Sequence, residues 1–349
     1  MDERFKYKFG KFDFSNDYYV LKKSKKVPIQ SIDEIIKNAK KYSKKNTPSH
    51  FIQHLLTIVD ENRNLKKEIF DSLKDDIFEL SQDFYANYII QDIISLNDEE
   101  KNDFIYNILI NNDIVMLSFH TYGCRVLQKL IDYINKDKIK IILEKLKKDL
   151  KELFINQNGN RVIQKIIEKL NLDEIDDIYN EVLNNLNILI YNENAYGSFI
   201  IQAILKKIKD NETKKEIIIK DGETKREHLI KEIFNHNLDN LYKNKYNNHI
   251  LKYIIENYNK YIEPVYQQIK GKINELSKDN YASYIIEMLL IKGKNELKEQ
   301  ILKDIIEVDK DKNENFNNDK CIEYIITHNY LTEEIIKDLI KRYKKMNLI

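Results

Sequence analysis

One short pattern recurs along this chain and limits what the chain can fold into. It is clearest as Tyr-Gly-Cys-Arg-Val-Leu-Gln-Lys at residues 122–129, and it returns at 158–165 and 196–202. We call the five residues that follow the Gly positions one to five. Position one of the eight copies is occupied by Ser49, Asn87, Cys124, Asn160, Ser198, Asn248, Ser283 and Asp319. The intervals are 35 to 38 residues, with one of 50. Such a period predicts a solenoid of stacked repeats.

The spacing of apolar residues predicts that the repeats are helical. Apolar residues recur at helical intervals throughout, and 7 Gly and 3 Pro are few for a turn-rich β fold. We therefore expect an all-α fold, an α-solenoid of eight repeats with capping helices at both ends. Each repeat is predicted as a first helix, a turn and a second helix that starts at the pattern. The predicted first helices cover residues 64–81, 100–117, 137–154, 173–190, 226–241, 262–277 and 296–309.

The helical period places three of the five positions on one face of the second helix. At 100° per residue, positions one, two and five share a face, while positions three and four point into a core. Position two carries an aromatic residue, His or Arg in seven of the eight copies, and two of the chain's six Arg lie there. Such planar side chains can stack on a base. The position-two residues are His50, Tyr88, Arg125, Arg161, Phe199, His249, Tyr284 and Lys320.

Position five adds hydrogen-bonding groups beside these planar side chains. It is occupied by Gln53, Gln91, Gln128, Gln164, Gln202, Lys252, Glu287 and Glu323. An Asn and a Gln amide match the edge of uracil, one Gln amide matches adenine, and one carboxylate can accept both donors of guanine. A small Ser or Cys at position one leaves room for a purine. The alternative, that these residues cap turns or bond between repeats, explains the Gln but not the paired restriction at positions one and two.

Composition limits the remaining possibilities. The net charge of +1 means that any basic surface must be local. Cys124 and Cys321 lie far apart, which argues against a disulfide framework and fits a reducing compartment. No apolar run has the length of a membrane span, and the first 30 residues lack a signal-peptide apolar region. We therefore expect a soluble, cytoplasmic protein without a membrane partner.

The sequence predicts no catalytic chemistry. The phosphate-binding patterns GxxxxGK[ST] and GxGxxG are missing from it. His50 and His54 lie four residues apart but lack the Glu of the HExxH zinc motif. Cys124 is interpreted as a small residue beside a purine, not as a nucleophile. We therefore expect no enzyme activity, no metal and no cofactor.

The pattern divides the chain into an N-terminal arm, a repeat array that contains one insertion, and a C-terminal helix. Residues 1–30 are basic and aromatic, and they are interpreted as an arm that either packs over the first repeat or contacts RNA as a flexible tail. The repeats cover residues 31–330 and begin with a helix at Ser31, which has capping-box spacing to Glu34. A charged insertion at about 209–227 is predicted as a surface loop, either without function or docking a partner. Residues 331–349 are predicted to form a capping helix.

The chain resembles the Pumilio (PUF) family of RNA-binding proteins over about residues 31–330. Tyr-Gly-Cys-Arg-Val-Leu-Gln-Lys, Asn-Gly-Asn-Arg-Val-Ile-Gln-Lys and Tyr-Ala-Ser-Tyr-Ile-Ile-Glu look like the third, fourth and seventh repeats of that family, in order. The resemblance implies a crescent of eight three-helix-like repeats whose concave face binds single-stranded mRNA, one base per repeat, with repeat eight on the 5′ base. It also implies post-transcriptional repression through deadenylation or translation-repressing factors on the convex face.

Two departures from the family pattern concern the predicted site. Repeat six has Lys252 where the family usually has Gln, and repeat eight has Asp319, Lys320 and Glu323 where it usually has Asn, Tyr and Gln. With a family-implied U at the 5′ end, the residue pairs predict the element 5′-UGUAUAUA-3′ in an mRNA untranslated region. We expect a monomer. The alternative function is a helical-repeat scaffold that binds proteins and has lost RNA binding.

Overall fold

The computed structural model describes residues 18–21, 25–57, 64–191, 194, 196–212, 223–236 and 239–307. Several predictions fall outside these residues. They are repeat eight with Asp319, Lys320 and Glu323, the C-terminal helix at 331–349, the middle of the insertion at 209–227, and most of the arm at 1–30. The described residues form two compact units that divide between Glu174 and Ile175.

A β-hairpin precedes the first helix. Strand β1 (Tyr18–Leu21) pairs antiparallel with strand β2 (Lys25–Pro28), with Tyr18 opposite Pro28. Helix α1 begins directly after β2, at Ile29. The prediction that Ser31 begins this helix is therefore wrong by two residues, because Ser31 lies inside its first turn.

The first unit contains twelve helices among its described residues, three for each of repeats one to four. They are α1 (Ile29–Lys37), α2 (Ala39–Ser43), α3 (Asn46–Leu55), α4 (Leu65–Leu73), α5 (Ile77–Leu80), α6 (Ala86–Ser95), α7 (Glu99–Ile110), α8 (Ile114–Phe119), α9 (Gly123–Tyr133), α10 (Lys136–Leu146), α11 (Leu150–Ile155) and α12 (Gly159–Lys169). Short 3₁₀ helices at Lys74–Asp76 and Lys147–Asp149 join the first two helices of repeats two and four.

The second unit continues the same order. Its described helices are α13 (Asp176–Asn184), α14 (Leu186–Tyr191), α15 (Tyr196–Glu212), α16 (Lys225–Phe234), α17 (Asp239–Tyr242), α18 (Asn248–Asn257), α19 (Ile262–Ile269), α20 (Ile273–Lys278), α21 (Ser283–Lys292) and α22 (Asn295–Glu307). A 3₁₀ helix at Leu172–Ile175 precedes α13, and another at Asn259–Tyr261 precedes α19. We call the third helix of each repeat (α3, α6, α9, α12, α15, α18 and α21) its motif helix.

The prediction of one continuous first helix per repeat is wrong for the predicted ranges from 64–81 to 262–277. Each of these ranges holds a longer helix and a short one, and local residues explain the break. Asp113 accepts a hydrogen bond from the backbone N–H of Met116 (2.8 Å) and so caps the start of α8. Gly271, between α19 and α20, has a φ of +87°, which favours glycine. The three helices per repeat agree with what the family resemblance implies.

The core of each unit lies between the motif helix and the other two helices of its repeat. The prediction that positions three and four are buried is confirmed in every described repeat, from Phe51 and Ile52 to Ile285 and Ile286. The Gly of the pattern allows the short helix to approach closely. A Cβ on Gly197 would lie 2.6 Å from the Cα of Leu189, so larger residues would push these helices apart.

Candidate nucleic-acid interface

The motif helices present a row of planar side chains in each unit. In the first unit α3, α6, α9 and α12 pack side by side in chain order, and in the second unit α15, α18 and α21 do so. Position two is exposed in all seven described repeats. The exposed fraction is 43% for Tyr88, 37% for Phe199 and 45% for Tyr284. Planar side chains left open to water, one in each described repeat and three of them large aromatic rings, indicate a surface that binds a ligand.

Position one does not share this exposure. The helical period placed positions one, two and five on one face of the helix, and within that face the position-one residues are at most 2% exposed in the described repeats. The reason is that a helical side chain points back toward the start of its helix. Asn87 shows the result, since its Nδ2 donates to the carbonyl oxygens of Asp83 (2.8 Å) and Phe84 (2.9 Å). Ser49 likewise donates to the carbonyl of Asn46 (2.8 Å).

A side-chain cap that the sequence analysis missed fixes the start of the motif helices. Asp83, four residues before position one, accepts hydrogen bonds from the backbone N–H groups of Tyr85 (2.8 Å) and Ala86 (2.9 Å). The same offset supplies the accepting side chain in repeats three, four, six and seven, from His120, Asn156, Asn244 and Asp279. Asp and Asn favour such turns, so a scan for them at this fixed offset would have found the cap in repeats two, four, six and seven, but not the His120 cap of repeat three.

The position-five amides are half-buried in repeats two to five and bond to position one of their own repeat. Gln91 Nε2 donates to Asn87 Oδ1 (2.9 Å), and Gln164 Nε2 donates to Asn160 Oδ1 (2.7 Å). In repeats three and five the corresponding Nε2 atoms donate to backbone carbonyls, from Gln128 to Cys124 (3.0 Å) and from Gln202 to Ser198 (3.2 Å).

These contacts decide which groups remain for a ligand. Asn160 is engaged twice, because its Nδ2 donates to the carbonyl of Asn156 (2.5 Å) while its Oδ1 accepts from Gln164. Within the described part of the chain, Gln164 Oε1 accepts no hydrogen bond and its second amide hydrogen is unused. The acceptor and donor that remain for a ligand in this repeat therefore belong to position five.

Cys124 behaves as a small buried group. Burial raises the pKa of its thiol, and the positive charges of Arg125 and Arg161 oppose this shift without cancelling it. A neutral buried thiol is a poor nucleophile, since the thiolate is the reactive form. This agrees with the interpretation of Cys124 as a small residue that leaves space beside it.

Repeat seven presents a carboxylate where repeats two to five present an amide. Ser283 is buried, Tyr284 is exposed and Glu287 is half-buried, all on α21. The order of burial at positions one, two and five is therefore the same as in repeats two to five. Compared with repeat five, which also has Ser at position one, the chemistry of position five changes from a mixed donor and acceptor to an anionic acceptor.

Repeat six lacks the internal bond of repeats two and four. Asn248 Nδ2 donates to the carbonyls of Asn244 (2.8 Å) and Lys245 (3.0 Å), as the equivalent Asn87 does in repeat two. Its Oδ1, however, is buried and has no hydrogen-bond partner among the described residues. Lys252 stands where the other repeats place Gln, and its Nζ lies 5.8 Å from the centroid of the Tyr284 ring.

Repeat one differs in another way. His50 is exposed as predicted, but Gln53 is only 7% exposed, and its Nε2 is buried without a hydrogen-bond partner in the described part of the chain. The predicted edge-recognising group of this repeat is therefore less accessible than Gln91 or Gln164.

No group of three or more His, Cys, Asp or Glu residues that could hold a metal ion is found within the described ranges. Nor is any helix there long and apolar enough to cross a membrane.

Comparison with protein families identifies part of the repeat array. Residues 76–110, 113–147, 155–183 and 272–306 match the model of the Pumilio-family RNA binding repeat. These segments contain the motif helices of repeats two, three, four and seven. Pumilio homolog 9 of Arabidopsis thaliana is 34% identical over 84 residues, which cover 23% of this chain and 15% of the relative. Putative pumilio homolog 10 of the same plant is 35% identical over 94 residues, which cover 26% and 18%. The chain thus matches less than a fifth of each relative's length.

Solved structures extend the similarity to the fold of nearly the whole chain. The structure of PUF-8 in complex with PBE-RNA has a TM-score of 0.73 at 23% identity and covers 90% of this chain and 88% of that one. The Puf3 RNA binding domain bound to a Cox17 RNA 3′ UTR recognition sequence has a TM-score of 0.71 at 22% identity and covers 91% and 95%. The predicted Pumilio-type α-solenoid is therefore confirmed, while the eighth repeat stays a prediction.

Proposed function

We propose that this chain binds single-stranded RNA in a sequence-specific manner, one base per repeat, at the exposed position-two side chains of the motif helices. The observation that carries this proposal is the repeated triplet of a buried position one, an exposed planar position two and a half-buried hydrogen-bonding position five. The Pumilio-family repeats and the RNA-bound structures with the same fold support it.

Stacking supplies most of the affinity in this proposal. A base lies against the exposed side chain of position two, as against Tyr88 or Phe199, and aromatic rings and guanidinium groups stack on every base type. Such contacts need little net charge, which fits a chain whose formal charge is only +1. Base identity must then come from the neighbouring polar groups.

Positions five and one divide the recognition of each base. The outward amide of Gln164 offers one acceptor and one donor, which match the N3–H and a carbonyl oxygen of uracil, or the amino group and N1 of adenine. Position one sets how deep the base can lie. Asn160 fills the space in repeat four, whereas the small Ser198 and Cys124 leave room for a purine in repeats five and three.

The resulting element is 5′-UGUAUAUA-3′. From repeat seven to repeat one the pairs are Ser283/Glu287 for G, Asn248/Lys252 for U, Ser198/Gln202 for A, Asn160/Gln164 for U, Cys124/Gln128 for A, Asn87/Gln91 for U and Ser49/Gln53 for A. Repeat eight takes the 5′ U. The assignment of uracil to the third base depends on Asn248 alone, because an ammonium group at Lys252 cannot accept a hydrogen bond from uracil N3–H.

The cellular role follows from the same proposal. The chain binds its element in mRNA 3′ untranslated regions in the cytoplasm as a monomer, and it represses those mRNAs by recruiting deadenylase or translation-repressor proteins on the surface opposite the RNA. The rival function is a protein-binding scaffold without RNA affinity.

Fluorescence anisotropy of the full chain with labelled eight-nucleotide RNAs separates these functions. We expect 5′-UGUAUAUA-3′ to bind at least about tenfold more tightly than a scrambled RNA of the same composition, since one mismatched base typically costs about 1–3 kcal/mol in a specific site. Equal affinity for the two RNAs contradicts sequence-specific binding. No affinity for either RNA supports the scaffold.

A further inference from the structure

Repeats four and six place the same residue at position one in the same surroundings. Asn160 and Asn248 are both buried, and each donates its amide N–H to the carbonyl of the residue four positions earlier, at 2.5 Å in repeat four and 2.8 Å in repeat six. The two repeats therefore leave a base the same depth. Position two also differs, with Arg161 in repeat four and His249 in repeat six. A stacked side chain contacts the face of a base and not its edge, so a preference between two pyrimidines must come from position five.

Position five changes the hydrogen-bonding groups that face outward. Gln164 uses one N–H on Asn160 Oδ1 and keeps Oε1 as an acceptor. Lys252 has three donors and no acceptor. It leaves Asn248 Oδ1 buried and without a partner among the described residues, and its ammonium group lies over the Tyr284 ring, 5.8 Å from the centroid. The exposed Tyr284 belongs to the proposed stacking row, so the ammonium lies where a base would bind.

The two pyrimidines differ at the atom that this change affects. Uracil carries a hydrogen on N3 and needs an acceptor there, which Gln164 supplies and Lys252 does not. Cytosine N3 is itself an acceptor and lies next to the acceptor O2. One ammonium group can donate to both atoms and still keep an N–H for Asn248 Oδ1, with the strength of a charge-assisted hydrogen bond.

We infer that repeat six selects cytosine over uracil, through Lys252. This inference rests on the proposed RNA binding and changes its third base, so that the preferred element is 5′-UGCAUAUA-3′. Asn248 restricts the base to a pyrimidine, as Asn160 does in repeat four. Lys252 then discriminates by donating to N3 and O2, and Tyr284 holds the ammonium group close to the base.

The test compares four RNAs that differ only at the third base. We expect the wild-type chain to bind 5′-UGCAUAUA-3′ about tenfold more tightly than 5′-UGUAUAUA-3′, within the range usual for one mismatch, and to bind the G and A versions more weakly than both. Uracil bound as tightly as cytosine, or more tightly, overturns the inference while leaving RNA binding in place. Failure to bind any of the four RNAs contradicts the proposed function itself.

Reciprocal variants show whether position five is responsible. Lys252→Gln gives repeat six the residue pair of repeat four and should reverse its preference to uracil. Gln164→Lys gives repeat four the pair of repeat six and should move the preference at the fifth base from uracil to cytosine. Circular dichroism checks that each variant keeps its helical content. If both variants keep the wild-type preferences, Lys252 is not the discriminating residue and the inference is wrong.

Discussion

Repeats four and six share a buried Asn at position one and differ at position five, where repeat four has Gln164 and repeat six has Lys252. In repeat four two hydrogen bonds follow one another. Gln164 donates to Asn160, and Asn160 donates to the backbone carbonyl of Asn156. In repeat six the first of these hydrogen bonds is missing, because Asn248 Oδ1 is buried and has no partner within the described ranges. A buried acceptor without a partner costs about 1–3 kcal/mol. We therefore expect repeat six to be less stable than repeat four in the free protein.

The comparison separates two roles that the sequence pattern joins. Position one belongs to the folded helix, since the donor groups of Ser49, Asn87, Asn160 and Asn248 bond to backbone carbonyls of the preceding turn. We expect it to affect a base mainly through its size. Position five is the variable contact, because it lies half-buried at the edge of the stacking row. Substitutions at position five should therefore change which base is bound, and substitutions at position two should change how tightly any base is bound.

The largest expected effect comes from copying the pair of repeat four into repeat seven. Ser283→Asn with Glu287→Gln removes a carboxylate that can accept both guanine donors and installs two amides suited to uracil. The preference at the second base should change from G to U, by roughly 100-fold in the ratio of affinities if each contact is worth about 1–3 kcal/mol. Anisotropy with RNAs that vary at this base measures it. A double variant that still prefers G contradicts the assignment of repeats to bases.

Removal of a stacking side chain should have the next largest effect. Arg125→Ala or Tyr284→Ala should weaken binding about 5- to 100-fold for every RNA, because a stacked base is worth roughly 1–3 kcal/mol. Phe104→Ala is a matched control, since Phe104 is also exposed but lies on α7 and not on a motif helix. Unchanged affinity in both stacking variants, with the fold intact, would rule out this face as the RNA site.

The stability of the free protein should change in opposite directions in repeats four and six. Lys252→Gln gives Asn248 Oδ1 a donor and should stabilise the folded chain by about 1 kcal/mol. Gln164→Lys removes the donor from Asn160 Oδ1 and should destabilise it by a similar amount. Urea denaturation followed by circular dichroism measures both effects. Equal shifts of the same sign would show that the buried oxygen does not govern the difference between these repeats.

The sequence predicted the features that depend on helical period. Burial at positions three and four and exposure at position two are confirmed, because they require only 100° per residue and an apolar core. The same argument does not give the burial of position one, since it ignores the bonds that Asn87 or Ser49 forms with the preceding turn. It also missed the break in each first helix, which depends on local caps such as Asp113.

Repeat six shows why part of the site required coordinates. The sequence shows that Lys252 replaces Gln, and it allows the deduction that an ammonium group cannot accept from uracil N3–H. It does not show that both amide hydrogens of Asn248 are engaged by Asn244 and Lys245, or that its oxygen is buried. Those facts depend on how the turn before α18 closes, which no periodicity describes.

A smaller effect is expected at the 5′ base, where repeat eight departs from the family pattern. Ionised Asp319 and Glu323 offer only acceptors, while uracil has two acceptors of its own, and Lys320 cannot stack as an aromatic ring does. Exchange of the 5′ base should therefore cost less than about 1 kcal/mol, against roughly 1–3 kcal/mol for a mismatch elsewhere in a specific site. The four RNAs that differ at this base provide the measurement. A strong requirement for U would contradict the assignment of these three residues to repeat eight.

The smallest expected effect concerns the pKa of His249, the exposed position-two residue of repeat six. Burial of part of the ring lowers this pKa below its ordinary value, and the positive charge of Lys252 lowers it further. Because the folded-state pKa lies below that of the unfolded chain, the neutral ring favours folding. This contribution to stability is complete above the unfolded pKa of about 6.5 and is lost as the pH falls through the folded pKa.

Lys252→Gln removes the charge and keeps the burial, so the pKa of His249 should rise but stay below about 6.5. Two-dimensional NMR titration of the imidazole resonances of the wild-type chain and the variant measures the change. A pKa of His249 that does not respond to Lys252→Gln would show that the ammonium group does not lie close to this ring in solution.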